Sequence, residues 1–238
     1  AGQPIPAEEF AATELKTYLD KVIGKTFTIV SEGNHDGTPA IHLGQTALAA
    51  ANSARGYGKE EYHLKVVGKN VIITGGRPRG VLFGTYEFLE RFAGVRFLSI
   101  NFEHIPSRDA IAVPADLDIR HAPPFIYRDI HPGRANIPDQ YRRKVRQNSG
   151  GNQPQFGFSE NYGSPRGCHS MHIYSADFPK EISWMNKNGY RQVVSSYNAG
   201  SICFSQPEVL DRFAAKLKDY ISKDRIRYDK IGAPWPVF

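Results

Sequence analysis

The residues best placed to do chemistry lie in the second half of the sequence. Asp129 falls near the end of an apolar and aromatic stretch, residues 125–131, that predicts a β-strand. A carboxylate at a strand end can act as a general acid or base, or can work with a second carboxylate facing it. The other acids considered fall in a loop, in a turn or in the first turn of a helix, where they favour the helix dipole; they are Glu160, Asp177, Glu181 and Glu208. No pair is convincing, so the catalytic residues stay unassigned.

Arginine and histidine side chains near the ends of predicted strands are candidates for binding rather than catalysis. Their planar groups donate or accept several hydrogen bonds, as binding of a hydroxyl-rich ligand requires. Two alternatives stay open: an arginine next to an aspartate can simply pair with it, and a histidine in a loop can simply be exposed. The candidate binding residues are Arg128, Asp129, His131, His169 and His172.

Cysteine and histidine ligands suited to zinc also occur, but in no recognised arrangement. Cys168, His169, His172 and Cys203 have the right side chains, yet their spacing matches no structural zinc pattern. We therefore predict neither a metal site nor a cofactor. The two cysteines could pair in an oxidising compartment, and the sequence does not decide whether they do.

A glycine-rich turn, residues 75–80, follows a β-branched run and precedes a helical pattern. Its spacing, G-x-x-x-x-G, suggests a phosphate-binding loop at a helix start. Such a loop needs lysine and a hydroxyl residue after the second glycine, where this chain has Val81 and Leu82. We predict no nucleotide site. Arg77 and Arg79 at the helix start could still hold an anion, but we expect them to be solvated turn residues.

The elements that would position these groups follow from hydrophobic periodicity. Helical spacing predicts helices over residues 7–23 and 81–93, and alternation predicts a hairpin joining residues 62–66 to residues 71–74. Further short strands are predicted at 27–30, 40–43 and 95–98, with a turn or short helix at 46–51. The fold class is therefore α/β, with a two-layer α+β first domain whose two main helices cover one face of a mixed sheet.

The composition changes after residue 102, where several prolines indicate an extended crossing into a second domain near Arg120. Beyond it, strands are predicted at 125–131, at 170–174 and from Tyr228, and helices at 138–147 and 207–222. Alternating strands and helices are typical of a parallel βα series.

Whole-chain properties exclude several classes of protein. The 238 residues are 40% hydrophobic and carry a net charge of +6, which argues against disorder and against a dense nucleic-acid-binding face. No apolar run is long enough to span a membrane. The start of the chain lacks the charged and apolar regions of a signal peptide, so we expect any such peptide to have been removed.

The glycine-rich turn and its surroundings resemble a known domain. Residues 75–80, 82–90 and 94–98, with 11–19 and 41–46, resemble the small domain that precedes the barrel in α-glucuronidases of glycoside hydrolase family 67. A similar domain precedes the barrel of family 20 β-N-acetylhexosaminidases and opens a group of bacterial proteins of the same build. The resemblance is nearest to that last group.

The resemblance implies an accessory domain over residues 1–118 and the start of a (β/α)8 glycosidase barrel over residues 119–238. Too few residues follow Arg120 for the about 200–250 of a full barrel, so we expect missing chain or a homo-oligomer to complete it. The implied function is hydrolysis of O-glycosyl bonds in a glycan, α-glucuronidase-like or hexosaminidase-like, with the catalytic acids beyond Phe238 and this fragment inactive. The alternative is a glycan-binding or scaffold protein without catalysis. The resemblance also implies that Arg128 grips sugar hydroxyls, and that the protein is periplasmic, at the cell surface or secreted.

Overall fold

The structure is a computed structural model. It describes residues 3–53, 55–130, 136–165, 170–179, 181, 203–233 and 235–236. These residues form two compact units, Ala1–Ser159 and Glu160–Phe238.

A four-stranded mixed sheet forms the centre of the first unit. Its strands are β1 (Ile41–Leu43), β2 (Tyr62–Val67), β3 (Asn70–Gly75) and β6 (Asp118–His121). Their order in the sheet is β1-β3-β2-β6, with β1 parallel to β3 and the other neighbours antiparallel. The predicted hairpin of β2 and β3 is confirmed, and its register pairs Tyr62 with Gly75 and Val67 with Asn70.

Two helices cover one face of this sheet, as the periodicity predicted. They are α1 (Pro6–Ile23) and α3 (Gly80–Phe88). Leu64 and Ile73 of the sheet meet Leu15 and Leu82 of the helices in one fully or nearly fully buried core. Burial of each such side chain stabilises the fold by about 1.5–3 kcal/mol. The short helix α2 (Ala47–Ala51) confirms the prediction for that segment.

The second main helix ends in an unusual turn. Residues Leu89–Ala93 form a π-helical turn, and Gly94 then adopts φ = 81°. A left-handed conformation at this position is readily accessible only to glycine, so Gly94 stops the helix as predicted. The chain continues into a two-stranded ribbon of β4 (Arg96–Ser99) and β5 (Phe102–His104).

The core of the first unit extends well beyond residue 100. Leu117 is buried in it, and Ile105, Tyr141 and Val145 pack against it. We predicted a domain boundary near Arg120, but Arg120 lies inside β6, a strand of the first sheet. Residues 119–159 therefore belong to the first compact unit.

The second unit is built around one long helix in its described residues. The helix α6 (Pro207–Lys230) is longer than predicted, and the short α5 (Met171–Tyr174) lies against it, with the Tyr174 and Phe213 rings 4.4 Å apart. The Ser164 amide and hydroxyl donate to Asp224 on α6 at 2.6 and 2.9 Å.

Several strand predictions are wrong. Residues 27–30 and 125–130 form no regular element, residues 171–174 are helical, and Tyr228 continues α6. The helix predicted at 138–147 is present as α4 (Asp139–Lys144). In the described part of the chain after His121 the structure contains helices but no strand, so it does not contain the predicted start of a barrel sheet there.

A bilayer-spanning helix is not found among the described segments. Even the 24 residues of α6 are interrupted throughout by charged side chains.

Candidate functional site

Arg128 lies in an irregular segment and is held by three acceptors. Its Nη2 donates to Glu60 at 2.6 Å, its Nε to the carbonyl of Arg146 at 2.9 Å, and its Nη1 to the carbonyl of Phe125 at 2.6 Å. The segment is fixed further because the Arg128 amide donates to Asn148 Oδ1 at 2.7 Å. Arg128 therefore has a fixed position, which a binding residue needs.

Asp129 is engaged separately, in a nearly buried ion pair. Arg142 donates to its carboxylate, as do Ser149 and, at 3.1 Å, the Tyr127 hydroxyl. Burial alone would raise the pKa of Asp129, but the hydrogen bonds from Ser149 and Arg142 outweigh it and hold the pKa below its usual range. An ionised, paired carboxylate of this kind is a structural group and is unsuited to act as a general acid.

The structure describes one of the three candidate histidines. His131 and His169 lie outside the described residues, as does Cys168. His172 lies on α5, in the second unit. Among the described side chains, no group of three or more histidine, cysteine or acidic residues is arranged to hold a metal ion.

Glu60 is the central residue of the site, and the sequence analysis missed it. It is 3% exposed, adopts φ = 61°, and binds Arg79, Arg128 and Asn148. Burial would raise its pKa, but the positive charges of Arg79 and Arg128 lower it overall. In the sequence, Lys59, Glu60 and Glu61 form a charged run typical of a solvated loop, so no local pattern could have revealed this burial.

Arg79 was expected to be a solvated turn residue, and that expectation is wrong. It is fully buried, pairs with Glu60, and donates to the carbonyls of Gly157, at 2.7 Å, and Phe158. Arg77 does remain partly exposed, with 44% of its side chain accessible, and pairs with Glu8 at 3.0 Å. At this helix start each of the two arginines thus binds a carboxylate of the protein itself, Glu8 for Arg77 and Glu60 for Arg79.

Two more buried arginines, Arg142 and Arg143, hold the segments on either side of α4 in place. Arg142 pairs with Asp129, and Arg143 donates to carbonyl and hydroxyl oxygens around residues 147–159, including Ser149 and Ser159. Burial lowers the pKa of Arg143 to about 10. Arg143 nevertheless stays charged at neutral pH, since a pKa of about 10 lies well above 7.

A cavity of about 460 Å³ opens beside this network, within the first unit. We call it the arginine-lined cavity. Its lining includes the aromatic side chains of Tyr62, Phe83 and His121, and the Tyr62 and His121 rings lie 5.2 Å apart at 32°. The other lining residues are two prolines, one isoleucine and six charged residues: Pro123, Pro124, Ile119, Glu60, Glu87, Arg91, Arg120, Arg128 and Arg146. Its size falls in the range of small-molecule sites, about 300–1,000 Å³.

The two carboxylates of the cavity do not form a hydrolytic pair. Glycoside hydrolysis requires one carboxyl group to be protonated as the acid, and Glu60 is held ionised by two arginines. Glu87 pairs with Arg146 at 2.9 Å. The cavity thus presents flat rings beside ion-paired charged side chains.

The glycine-rich turn makes this arrangement possible. A Cβ on Gly75 or Gly80 would lie 2.3 Å from the Glu61 carbonyl, and one on Gly76 would lie 1.8 Å from the Gly58 carbonyl. These glycines let the backbone on either side of Glu60 approach the turn, a packing role for glycine rather than a ligand role.

Part of the chain is similar in sequence to known proteins. Residues 2–88 match the family described as "Glycosyl hydrolase family 67 N-terminus". Alpha-glucuronidase A of Emericella nidulans is 33% identical over 113 residues, covering 45% of this chain and 13% of that enzyme. The predicted resemblance to family 67 is thereby supported, whereas nothing found supports the family 20 or bacterial-group part of it.

One solved structure also shows similarity. It is a family GH115 4-O-methyl-α-glucuronidase with specificity for decorated arabinogalactans, matched with a TM-score of 0.40 and 16% identity over 54% of this chain and 17% of that one. A score of this size does not establish a shared fold. The chain thus spans less than a fifth of the length of either relative.

Proposed function

We propose that this chain is the N-terminal part of a glycoside hydrolase that acts on a uronic acid-bearing glycan. The observation that carries the proposal is the match of residues 2–88 to the N-terminal region of family 67. The similarity to an α-glucuronidase over 113 residues supports the same substrate class. In this proposal the catalytic acids belong to a (β/α)8 barrel contributed by chain beyond Phe238, and export to the periplasm, cell surface or medium places the enzyme with its glycan.

The same proposal holds that the 238 residues alone do not hydrolyse glycosides. Its support is that Asp129 is ionised and ion-paired, and that Glu60 is held ionised by two arginines. Neither can supply the proton that the leaving group needs.

The test compares this chain with a longer form that continues past Phe238. Both are assayed with an aryl α-D-glucuronide and an aryl N-acetyl-β-D-glucosaminide. We expect turnover of the glucuronide by the longer form only. Turnover by the 238-residue chain that Asp129→Asn abolishes would refute the proposal, and turnover of the glucosaminide alone by the longer form would move the substrate class to amino sugars.

A second candidate function, glycan binding without hydrolysis, is favoured by the arginine-lined cavity. Aromatic and proline rings beside fixed arginine and glutamate side chains are suited to the apolar face and the hydroxyl groups of a sugar ring. Binding of an oligosaccharide by a longer form that is inactive on both aryl glycosides would favour this candidate.

A further inference from the structure

Two histidines lie side by side where a polar loop, residues 31–40, meets the strand β1. His35 follows the 3-10 turn Glu32–Asn34 of this loop, and His42 is the middle residue of β1. Their ring centres are 5.3 Å apart, and the ring planes make an angle of 71°. Because β1 is an outer strand of the four-stranded sheet, the two rings form a contact between the loop and the sheet edge.

Neither ring is suited to carry a positive charge in this contact. The Nε2 atoms of both rings are buried, and neither has a hydrogen-bond partner among the residues that the structure describes. His35 Nδ1 accepts a hydrogen bond from the Gly37 amide at 3.3 Å. A protonated imidazole carries a hydrogen on both nitrogens, so it would lose the bond from Gly37 in His35 and bury a charged Nε2–H without an acceptor in either ring. Such burial is costly, so the contact favours two neutral rings.

The surroundings also disfavour protonation of His42. Burial and the neighbouring charge of His35 lower the pKa of His42, and together they outweigh the hydrogen bond with Asn70 and the charge of Glu32, which raise it. The amino-terminal charge makes the smallest contribution and lowers it further. Asp36 also lies close to His35, but its carboxylate accepts hydrogen bonds within the loop.

We propose that the contact between His35 and His42 is an acid-sensitive switch: neutral rings hold residues 35–40 against β1, and protonation releases this segment and loosens β1 from β3. Residues before 35 stay attached, because Glu32 Oε1 accepts from the Ala47 amide at 2.7 Å. The inference does not depend on the proposed function.

The direction of the pH dependence follows from proton binding. Release exposes the histidines to water, where their pKa is about 6.5. At and below that pH the open segment binds more protons than the closed one, so acid favours the open segment. The stability of the closed segment is therefore fully present above about pH 7 and is lost as the pH falls through about 6.5 and below.

The experiment is amide hydrogen exchange of the full 238-residue chain between about pH 8 and pH 5, followed by two-dimensional NMR and corrected for the intrinsic exchange rate. The reporters are the amides of Val71 and Gly44, which donate to the carbonyls of Ala40 and Ile73 at the two ends of β1. We expect their opening constant to rise in acid, by up to about tenfold per pH unit for each histidine. Amides of β2, an inner strand of the same sheet, should change less.

Variants of the two histidines test the assigned contact. His35→Gln and His42→Gln keep a polar side chain but remove the titrating group. We expect each substitution to reduce the pH dependence at Val71 and Gly44, and the two together to abolish it. In His35→Gln the pKa of His42, followed through its ring proton, should also rise, because the neighbouring charge is absent.

The matched control is His63→Gln in β2. His63 is also buried, but both of its ring nitrogens have partners, the Tyr57 hydroxyl at 2.9 Å and Asp118 at 2.7 Å. We expect this substitution to leave the pH dependence of the two reporter amides unchanged.

Three results would overturn the inference. They are an opening constant at Val71 and Gly44 that does not rise between about pH 8 and pH 5, an equal rise in β2, and a pH dependence that persists in the double variant or is removed equally by His63→Gln.

Discussion

At the scale of single residues, two arginines close together in the sequence differ completely in solvent exposure. Arg77 and Arg79 are two positions apart in one turn, yet Arg77 is partly solvated and Arg79 has no exposed surface. A charged side chain is stable at such a depth only when it is paired and hydrogen-bonded. Glu60 and the carbonyls of Gly157 and Phe158 supply those partners, and they lie about 20 and 80 residues away in the chain.

This difference leads to a prediction for Arg79→Met. The substitution leaves Glu60 buried with one fewer cation, so we expect the free energy of opening of β2 and β3 to fall by about 3–5 kcal/mol. Amide hydrogen exchange in these strands measures that quantity for the first unit alone. The matched control, Arg77→Met, removes a partly exposed pair and should cost about 1 kcal/mol or less.

Equal losses in the two variants would contradict this account. They would mean that the Arg79 pair contributes no more than a surface ion pair, and that Glu60 finds other stabilising partners when Arg79 is absent.

At the scale of elements, periodicity predicted what packs through an apolar stripe. The helices α1 and α3 and the hairpin of β2 and β3 each place apolar residues on one face. These faces are buried together in one core, so the sequence pattern corresponds directly to the packing. Their positions and the mixed sheet were therefore accessible from the sequence alone.

The predictions failed where apolar residues lie outside the core. Phe125 and Ile126 are 68% and 73% exposed. The backbone amide of Arg128 donates to the side chain of Asn148 rather than to a neighbouring strand. Phe27 is similar, because its amide donates to Asp20 Oδ1 at 2.8 Å. An apolar run predicts burial only if a partner strand exists, and the sequence does not reveal that partner.

The candidate site was predictable in part. Arg128 became a candidate because it falls near the end of a predicted strand and because the resemblance implies a sugar-binding arginine there. Its partner Glu60 was missed, since the two are 68 residues apart. Three residues other than glycine adopt positive φ among those described, namely Glu60, Arg146 and Phe158. All three contribute an oxygen to Arg79 or Arg128, so the strained backbone is concentrated at this network.

The glycine-rich turn gives a prediction at this scale. Gly76→Ala places a Cβ 1.8 Å from the Gly58 carbonyl, so the backbone next to Glu60 must shift. We expect a loss of about 1–3 kcal/mol or more in the opening free energy of β3. Gly33→Ala is the control, since nothing lies within 4 Å of its added Cβ, and it should change stability by about 0.5 kcal/mol or less. An unchanged Gly76→Ala protein would show that the close approach is not required.

At the scale of the whole molecule, the first unit needs chain that the sequence assigned to the next domain. Residues 125–159 supply Arg128 and Asn148 to Glu60 and two carbonyls to Arg79. The same segment supplies Lys144, which pairs with Glu103 at 2.6 Å, and Phe156, whose ring lies 5.2 Å from that of Phe10. These contacts join the segment to the loop before β2 and the turn after β3, to α1 and to the β4–β5 ribbon.

The domain limit can be tested by truncation. A chain ending at Pro124 keeps every strand of the sheet and the Glu60–Arg79 pair. In that chain Glu60 loses Arg128 and Asn148, and Arg79 loses the carbonyls of Gly157 and Phe158. We expect β2 and β3 in this shorter chain to lose several kcal/mol of protection in amide exchange, since removing one partner of a buried ion pair costs about 3–5 kcal/mol. A chain ending at Ser159 keeps every contact of Glu60 and Arg79 named above, and we expect its β2 and β3 to be better protected than those of the chain ending at Pro124. If the chain ending at Pro124 were protected equally well, the boundary expected near Arg120 would be the energetic one, and the buried arginines of residues 125–159 would contribute nothing to the first unit.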